Sequence, residues 1–538
     1  MNLKEIIKGI DATVTGNTDI EVSDLQFDSR RVGKGTLFVA QRGTKVDGHD
    51  FIDKAIEAGA VAIVCEESGE WRVESGEWRA ESGEWRTESG EWRTESGERR
   101  AESGERRAES GEWRAENGER IEMPTIVKVQ DSSKALGLMA DNWYGHPSRQ
   151  LKLVGITGTN GKTTTVTLLH RMFRMMGFHV GLISTIVNKI DEQELPTSHT
   201  TPDALELNQL LRKMVDAGCQ YCFMEVSSHA VVQHRIAGLE FAGGIFSNIT
   251  HDHLDFHKTM AAYIAAKQGF FNALPKSAWA LTNIDDKNGM IMVQNTAAQV
   301  KTYSLQRMAD FRCRLIEESI DGMQLEMNGT EMWSRLVGRF NAYNLTAIYA
   351  AAMLLCGESP VAQHKVESGD ILSILSLLEP APGRFQRVSG QGKTAIVDYA
   401  HTPDAVKNVI DTINDIRRKN QQLITVVGCG GDRDKTKRPE MARIAAIGSD
   451  KLVLTSDNPR SEDPDAILDD MEAGLDAEQL CRTVRMTDRR QAIRTACMMA
   501  KEGDIILVAG KGHETYQERN GVRTHFDDVE ELKSIITK

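Results

Sequence analysis

Short apolar runs alternate with amphipathic segments along most of the chain. Residues 151–154 predict a strand, and residues 166–173, where apolar positions recur at helical spacing, predict a helix. A further helix is predicted at 132–144, and strands and helices are expected to alternate from there to about residue 380. Such alternation is typical of a parallel sheet covered by helices on both faces. The sequence therefore predicts an α/β fold.

A second alternating series follows a Pro-Ala-Pro-Gly break at residues 380–383. Its predicted strands are 394–398, 423–427, 451–455 and 504–509. The last three strands are followed by polar loops at 430–433, 457–460 and 510–514. Ligands of open α/β sheets lie beyond the carboxyl ends of the strands, so we expect these loops to share a cleft.

A seven-residue repeat interrupts the N-terminal part of the chain. Residues 19–65 predict short strands and turns, then a helix at 51–58 and a strand at 61–65. The unit Glu-Ser-Gly-Glu-Trp-Arg-Ala/Thr then recurs in eight drifting copies between residues 67 and 120. Each unit contains a glycine and at most one large apolar residue, whereas a coiled-coil seam needs two apolar positions. We therefore interpret 67–120 as a disordered insert, with the fold resuming at 124–129.

Composition limits the classes of protein to consider. The 538 residues exceed a single core, and about three domains are expected. The net charge of −13 disfavours a nucleic-acid surface, and no apolar run approaches the roughly 20 residues that span a bilayer. Eight scattered cysteines and the absence of a visible secretory signal favour a cytoplasmic protein. We expect it to be a monomer. Cys219 and Cys222 have the spacing of a redox or zinc pair, but without a second pair we assign them to the core.

The glycine-rich stretch 155–165 lies between the first predicted strand and helix. A turn in this position directs backbone N–H groups and the positive end of a helix at a phosphate. The strict phosphate-loop pattern needs glycine at 156, where this chain has isoleucine, so the loop is a variant flanked by Gly155 and Gly158. Lys162 would reach the outer phosphates and the Thr163 hydroxyl would hold Mg²⁺. The stretch predicts a nucleoside triphosphate site.

Further acidic and basic residues follow predicted strands. Glu225 ends a strand-like run, where its carboxylate could hold the same Mg²⁺ as Thr163. His251 and His253 have the spacing of half a zinc site, but no second pair follows at suitable distance. Lys267 lies in a predicted helix at 261–271, and its local sequence alone would make it an ordinary surface lysine.

Five motifs in order resemble the Mur ligase family. They are GTNGKTT (158–164), EVSSH (225–229), HDHLDFH (251–257) with Lys267 beyond it, GRFNAYN (338–344) and DYAHTPD (398–404). The resemblance covers nearly the whole chain outside the repeat. It implies three domains: 1–130 binding a uridine nucleotide and carrying the 67–120 insert, a central parallel-sheet phosphate-loop ATPase domain at 131–381, and a Rossmann-like domain at 382–538 that binds the incoming amino acid.

The resemblance implies an ATP-dependent ligase that activates a carboxylate as an acyl phosphate. Lys162, Lys267 and His253 would be catalytic, with Lys267 carbamylated so that its new carboxylate serves a second Mg²⁺. The implied metal ligands are Thr163, Glu225, His253 and the modified Lys267. ATP would be bound by Gly158, Thr159, Asn160, Gly161, Lys162, Thr163, Thr164, Asn344, Arg384 and Asp398.

Within the family, the likeness is to members that add the third residue to UDP-N-acetylmuramoyl-L-alanyl-D-glutamate. It rests on Asp28-Ser29-Arg30, Thr200-Thr201-Pro202-Asp203, Ser227 through Arg235, the DNPR loop (457–460) and the GHE loop (512–514). The muramyl dipeptide would contact Phe27, Ser29, His199, Thr200, Thr201, Ser227, Gln233 and Arg235. meso-Diaminopimelate would contact Arg433, Asp457, Asn458, Pro459, Arg460, Gly510 and Glu514.

Three alternatives remain open at this point. The first is an L-lysine-adding ligase of the same family; the resemblance implies that such members carry a different residue at the position of Arg460. A folylpolyglutamate synthase shares the ATPase core but lacks the uridine-nucleotide domain that the resemblance assigns to residues 1–130, and this domain argues against that alternative. A non-enzymatic partner-binding protein could display the Trp-containing repeat on an inactive core, but Lys162, Glu225 and Lys267 are all intact.

Overall fold

The computed structural model describes residues 1–43, 46–66, 113–114, 120–121, 123–197, 199–250, 254–356 and 366–537. The predicted insert therefore lies outside the described residues, apart from two short antiparallel strands near its end, and its disorder stays a prediction. Among the described helices, none is both long and apolar enough to cross a membrane.

The described strands are numbered in chain order. They are β1 (Ala12–Thr15), β2 (Asp24–Gln26), β3 (Thr36–Val39), β4 (Ala62–Glu66), β5 (Trp113–Arg114), β6 (Arg120–Ile121), β7 (Thr125–Val129), β8 (Lys152–Thr157), β9 (Val180–Ile183), β10 (Asn188–Ile190), β11 (Gln193–Leu195), β12 (Tyr221–Glu225), β13 (Gly243–Phe246), β14 (Trp279–Asn283), β15 (Gln299–Ser304), β16 (Phe311–Ser319), β17 (Gly322–Met327), β18 (Thr330–Ser334), β19 (Gln386–Gly390), β20 (Lys393–Asp398), β21 (Leu423–Val427), β22 (Lys451–Leu454), β23 (Thr483–Arg485), β24 (Ile505–Ala509), β25 (Tyr516–Arg519) and β26 (Val522–His525).

The α-helices are numbered in the same way. They are α1 (Leu3–Ile6), α2 (Ile52–Glu57), α3 (Ser132–Trp143), α4 (Lys162–Met175), α5 (Ala204–Asp216), α6 (Ser228–Val232), α7 (Leu254–His257), α8 (Met260–Asn272), α9 (Gly289–Val293), α10 (Arg339–Cys356), α11 (Ser368–Leu377), α12 (Pro403–Ile416), α13 (Lys437–Gly448), α14 (Pro464–Glu472), α15 (Ala477–Cys481), α16 (Arg489–Met499) and α17 (Asp528–Ile536). The described residues also form three 3₁₀ helices, at Ser29–Arg31, Gly48–Phe51 and Pro147–Arg149.

The first of two compact units comprises residues 1–151, 202–217 and 229–240 and contains a five-stranded sheet. The strand order is β1-β7-β4-β3-β2, and β1 runs antiparallel to β7 while the other neighbours are parallel. Successive side chains of a strand face opposite sides of a sheet. Leu37 and Val39 accordingly pack in the same cluster as Met139 of α3, whereas Phe38 packs with Ile52 of α2.

The second unit comprises residues 152–201, 218–228 and 241–538 and contains two larger sheets. The eleven-stranded sheet has the order β11-β10-β9-β12-β8-β13-β14-β15-β16-β17-β18, and its neighbours from β9 to β16 are parallel. Strand β8, which leads into the predicted phosphate loop, lies between β12 and β13. The predicted strand and helix on either side of this loop are therefore confirmed as β8 and α4.

The predicted alternation up to about residue 380 is wrong beyond β15. Strands β16, β17 and β18 follow one another as an antiparallel meander with no described helix between them. In β17, Met323, Leu325 and Met327 are fully buried and alternate with less buried neighbours. A period of two is typical of antiparallel strands with one face on the core. The long helix α10 follows the meander and packs in the same core cluster as β8.

The six-stranded sheet carries the second predicted series. Its order is β19-β20-β24-β21-β22-β23, with β19 antiparallel to β20 and the remaining neighbours parallel. In β24, Ile505 and Leu507 pack in one core cluster, and Ile506 and Val508 pack in another on the opposite face. The near-continuous apolar sequence of β24 follows from this double burial. The predicted α/β class with parallel-rich sheets is confirmed.

Cys219 and Cys222 lie in the core, as predicted. Cys222 belongs to β12 and is fully buried, and Cys219 is 4% exposed. Burial raises the pKa of the Cys219 thiol to about 11, so this thiol stays protonated at neutral pH. All eight cysteines are free thiols.

A fully buried ion pair joins the two helices that cover one face of the six-stranded sheet. Arg489 of α16 donates from Nε to Asp528 Oδ1 and from Nη2 to Asp528 Oδ2, both at 2.8 Å. Both side chains have no exposed surface, and Nη2 also donates to the carbonyl of Ala509 at 3.0 Å. Removing one partner of such a pair leaves an uncompensated buried charge.

We therefore expect Arg489→Met to lower the free energy of unfolding by about 3–5 kcal/mol. The neighbouring Arg490→Met is a matched control, since Arg490 pairs with Glu531 of the same helix α17 but is 47% exposed. Its loss should cost no more than about 1 kcal/mol. Denaturant unfolding followed by circular dichroism checks both values, and equal losses for the two variants would contradict the role given to burial.

Candidate active site

The phosphate loop is fixed between two parallel neighbours. In the register of the sheet, Ile156 pairs with Glu225 of β12, and Thr157 pairs with Phe246 of β13. Gly161 has φ +87° and opens α4, and a Cβ there would lie 2.5 Å from Asn344 Oδ1. Because Gly161 has no side chain, nothing from this residue caps the N–H groups of the first turn of α4. These N–H groups and the helix dipole can bind an anion.

Asn248, which sequence analysis missed, holds the loop in shape. Its carbonyl accepts from the Thr159 N–H at 2.8 Å, and its side-chain Oδ1 accepts from the Asn160 N–H at 2.9 Å. Asn248 Nδ2 also donates to the Asn160 carbonyl at 3.1 Å. The side chain of Asn160 in turn donates to Asp404 at 3.1 Å. The phosphate loop is therefore preorganised by hydrogen bonds on both sides.

Two lysine ammonium groups converge on one carbonyl of this loop. Lys162 Nζ donates to the carbonyls of Gly158 and Thr159 at 2.9 and 2.8 Å. Lys267 Nζ donates to the same Gly158 carbonyl at 2.8 Å and lies 4.6 Å from the Tyr263 ring centroid. Lys267 is 1% exposed, so it is not the surface lysine that its sequence context alone suggests. Both cations lie where phosphates bound by the loop would be stabilised.

Glu225 lies at the carboxyl end of β12, beside the loop. The carboxylate is buried and accepts from Thr185 N at 2.8 Å and from Thr185 Oγ1 at 3.1 Å. Thr163 Oγ1 accepts from Arg384 Nη2 at 3.2 Å. A hydroxyl and a carboxylate are oxygen donors of the kind that Mg²⁺ prefers, so these two residues fit the predicted ion. His251 and His253 lie outside the described residues, and their part in a metal site stays a prediction.

The other predicted ATP residues approach the loop from α10 and from the start of the C-terminal sheet. Asn344 lies against Gly161 and donates to Asn341 Oδ1 at 3.0 Å. Arg384 contacts Thr163, as described above. Asp398 is 7% exposed and accepts from the Phe385 N–H at 2.7 Å. Burial raises the pKa of Asp398, while the charge of Arg384 opposes this rise.

Tyr399 and His513 support Arg384, and neither was identified from the sequence. The Arg384 guanidinium carbon lies 4.7 Å from the Tyr399 ring centroid, and the His513 ring lies 4.9 Å from the same ring. Burial lowers the pKa of His513 to about 3, so the imidazole is neutral. Tyr399 belongs to the motif DYAHTPD and His513 to the GHE loop. Membership of these motifs was the only sequence feature that could have marked them as functional.

The three predicted polar loops of the C-terminal sheet do meet. Arg460 Nη1 donates to the Gly431 carbonyl at 2.7 Å, which joins the second loop to the first. Asn458 Nδ2 donates to Glu514 Oε2 at 2.7 Å, which joins the second loop to the third. Gly510 has φ +114°, and a Cβ there would lie 2.8 Å from Asp457 Oδ2. The close approach of Asp457 therefore requires glycine at 510. Arg433 is exposed and donates to the Asp432 carbonyl at 3.1 Å.

The β25–β26 hairpin, also missed, holds the loop 457–460 in place. Gln517 Nε2 donates to the Asp457 carbonyl at 2.7 Å, and the Glu518 N–H donates to Asn458 Oδ1 at 2.9 Å. The Arg460 N–H donates to the Glu518 carbonyl at 3.1 Å, and the Asn520 N–H donates to the Arg460 carbonyl at 2.6 Å. These bonds maintain Arg460 at φ +52°, a left-handed conformation that is unusual for arginine.

The residues predicted to bind the muramyl dipeptide fall into two groups. In the second unit, the Ser227 N–H donates to Thr201 Oγ1 at 3.2 Å, Thr185 Oγ1 donates to Thr200 Oγ1 at 3.1 Å, and His199 is exposed. In the first unit, Phe27 packs against the sheet core, and Ser29 begins a 3₁₀ helix. Arg235 donates to Gln233 there at 2.9 Å. A shared role for the two groups stays a prediction.

Fold and loop geometry together define a phosphate-loop α/β protein with a second polar site on its C-terminal sheet. Comparison with known families agrees. Residues 21–91 match the Mur ligase family catalytic domain, residues 156–352 match the Mur ligase middle domain, and residues 383–512 match the Mur ligase glutamate ligase domain.

Individual proteins extend this likeness over the whole chain. A UDP-N-acetylmuramoyl-L-alanyl-D-glutamate–2,6-diaminopimelate ligase of Bacteroides thetaiotaomicron is 49% identical, covering 99% of this chain and 100% of that protein. A solved structure of a ligase of the same name has a TM-score of 0.63 and 30% identity, and covers 100% of this chain and 98% of its own. A folylpolyglutamate synthase of Mycobacterium tuberculosis has a TM-score of 0.56 at 16% identity and covers 69% of this chain and 91% of its own. The last likeness shows the fold alone.

The chain therefore belongs to the Mur ligase family. It is an ATP-dependent ligase that forms an amide bond.

We expect Lys267→Ala to reduce ATP-dependent ligation by about a hundredfold or more, because it removes a buried cation, or its predicted carbamate, beside the phosphates. Added formate or acetate should restore part of the activity if a carboxylate is what the site has lost. Lys276→Ala, at an exposed position beyond α8, serves as the control and should keep normal turnover. Phosphate release measures each rate, and near-normal turnover of the folded Lys267→Ala variant would exclude the role.

Proposed function

We propose that this ligase adds meso-diaminopimelate to the D-glutamyl residue of UDP-N-acetylmuramoyl-L-alanyl-D-glutamate, in the synthesis of peptidoglycan precursors. The observation that carries the proposal is the pairing of opposite charges at the second polar site. Burial, followed by the charge of Glu514, raises the pKa of Tyr516, while Arg523 and Arg460 oppose the rise. The charges of Glu514 and Arg460 therefore both lie within electrostatic reach of this one ring. The far end of diaminopimelate also carries one carboxylate and one ammonium group.

Arg460 has the geometry to recognise the distal carboxylate. Its Nη1 is engaged by Gly431, and no described residue accepts from Nη2 or Nε. The remaining edge of the guanidinium offers two parallel donors, which match a carboxylate. L-Lysine has no carboxylate at this end and would leave the donors unpaired. A site built around a polar group rejects an analogue that lacks it by about 10⁴-fold.

The ATP site supports the other half of the reaction. The γ-carboxylate of the D-glutamyl residue would attack the γ-phosphate of ATP, giving ADP and an acyl phosphate. The amine of diaminopimelate would then attack the acyl carbon, and phosphate would leave. Lys162 and Arg384 would neutralise the transferred phosphoryl group, and the N–H groups that open α4 would orient the phosphates. Positioning and electrostatics supply most of the catalysis in such transfers.

Thr163 and Glu225 would hold Mg²⁺ at this site. When bound, the ion would neutralise phosphate charge. Thr185 keeps the Glu225 carboxylate oriented through its N–H and its hydroxyl. Lys267, as a carbamate, would supply one more oxygen ligand.

One assay tests the proposal directly. Phosphate release from ATP should require the UDP-muramyl dipeptide together with diaminopimelate, and L-lysine should not replace diaminopimelate. Equal use of the two amino acids would overturn the substrate assignment. Activity with a folate and glutamate in place of these substrates would favour the folylpolyglutamate synthase alternative.

Arg460→Ala should raise the apparent KM for diaminopimelate about a hundredfold, because two charge-assisted hydrogen bonds are lost. The apparent KM for ATP should stay within about twofold. Arg460→Lys is the matched control, since it keeps the charge and meets the same left-handed backbone but lacks the fork, and it should give an intermediate KM. Steady-state kinetics with each substrate varied in turn distinguish these outcomes. A parallel rise in both KM values would show a general disturbance of the domain.

A further inference from the structure

Lys511 is the most deeply buried charge of the second polar site, and no part of the proposed reaction uses it. It follows β24 in the loop 510–514 and has no exposed surface. Its Nζ donates to Asn458 Oδ1 at 3.0 Å and to Glu514 Oε2 at 3.1 Å, and lies 3.5 Å from Asp457 Oδ1. A single ammonium group therefore contacts three of the residues expected to bind the amino acid.

Two carboxylates would otherwise repel each other at this point. The side chains of Asp457 and Glu514 are only 9% and 16% exposed. Buried like charges favour protonation of one partner unless a cation lies between them. Lys511 supplies this cation, and Asn458 adds a neutral donor to Glu514 Oε2 at 2.7 Å. Both described donors engage Oε2, and no described residue donates to Oε1.

We propose that Lys511 is a positioning residue that keeps Glu514 ionised and oriented, so that Glu514 Oε1 receives the distal ammonium group of the incoming amino acid. The proposal rests on the proposed function. Lys511 would not touch the substrate itself, since its donors are taken up by Asn458 and the two acids. Its effect would reach the substrate through the charge and direction of the Glu514 carboxylate.

The electrostatic surroundings of Glu514 agree with this role. Burial, followed by repulsion from Asp457, raises the pKa of Glu514, while Lys511 and Asn458 oppose the rise. Other charged or titratable groups that interact with Glu514 are Tyr399, Arg489, Tyr516 and Arg523. Arg489 is already paired with Asp528, and Arg523 with Glu518. Lys511 is therefore the cation in direct contact with Glu514.

Removing the Lys511 charge should move the pH dependence of amino-acid use in a defined direction. A carboxylate that loses a neighbouring cation has a higher pKa and becomes protonated at higher pH. In Lys511→Met, the acid limb of kcat/KM for diaminopimelate should therefore shift upward by about one pH unit. The apparent KM for diaminopimelate should rise about tenfold to a hundredfold at neutral pH, with the KM for ATP nearly unchanged. Lys511→Arg, which retains the charge, should leave the acid limb closer to its original position.

Asp457→Asn provides a second variant that tests the same charge balance if Lys511→Met does not fold. It removes the repelling acid and leaves Lys511 in place, so the acid limb should shift to lower pH. Lys407→Met is the matched control, because it removes a lysine that is 59% exposed and pairs with Asp411 at the surface, and it should leave the acid limb unchanged. Thermal unfolding of each variant confirms that the full chain is folded.

The result separates this inference from the proposed function. If the unmodified protein does not use diaminopimelate, the substrate assignment fails and the inference fails with it. If the unmodified protein uses diaminopimelate but the acid limb stays fixed in both folded variants, or the KM for ATP rises as much as that for diaminopimelate, the role of Lys511 is wrong and the proposed function stands.

Discussion

The second compact unit depends on one constraint: several of its positive charges are buried from solvent and must be paired within the protein. Lys267, Arg438, Arg489 and Lys511 have 1% or less of their surface exposed. Each one is matched by carbonyls or carboxylates: Gly158 for Lys267, Glu462 and Asp470 for Arg438, Asp528 for Arg489, and Glu514 for Lys511. Because an unpaired buried charge costs several kcal/mol, each of these pairs ties the segment that carries the cation to the segment that carries its partner. Two of these cations, Lys267 and Lys511, contact loops at the carboxyl ends of strands, where both candidate sites lie.

The two sites use this constraint differently. At the phosphate loop, Lys162 and Lys267 share the Gly158 carbonyl, and the ammonium group of Lys162 places positive charge where phosphates would bind. At the second site, one lysine contacts two acids, so the cluster of Asp457, Lys511 and Glu514 has one net negative charge when both acids are ionised. The guanidinium of Arg460 belongs to the same loop as Asp457. Positive charge at the phosphate loop suits a polyanion such as a nucleoside triphosphate. Separated charges of opposite sign at the second site suit a zwitterion.

The sequence predicted the fold class, four of the six strands of the C-terminal sheet and the meeting of its three loops, because the hydrophobic period and the residues that follow a strand are local properties of the sequence. The sequence did not predict β19 or β23. It did not predict the β16–β18 meander. A short strand with alternating apolar residues looks the same in sequence whether the next element is a helix or another strand. Asn248, Tyr399, Lys511 and the β25–β26 hairpin were also missed. Their importance comes from hydrogen bonds to residues distant in sequence, which no local pattern encodes. Lys267 was recognised only through the family resemblance, because the sequence of α8 alone does not indicate that this side chain is buried.

The attachment of the hairpin to the loop 457–460 has a consequence for protein synthesis. Gln517 and Glu518 bind residues that precede them by 60 positions. A ribosome must therefore translate that whole intervening segment, including α16 and β24, before the amino-acid loop can adopt its final shape. A nascent chain that already contains a finished phosphate loop would thus still lack a structured pocket for the incoming amino acid. ATP binding and amino-acid selection should accordingly mature at different moments during translation.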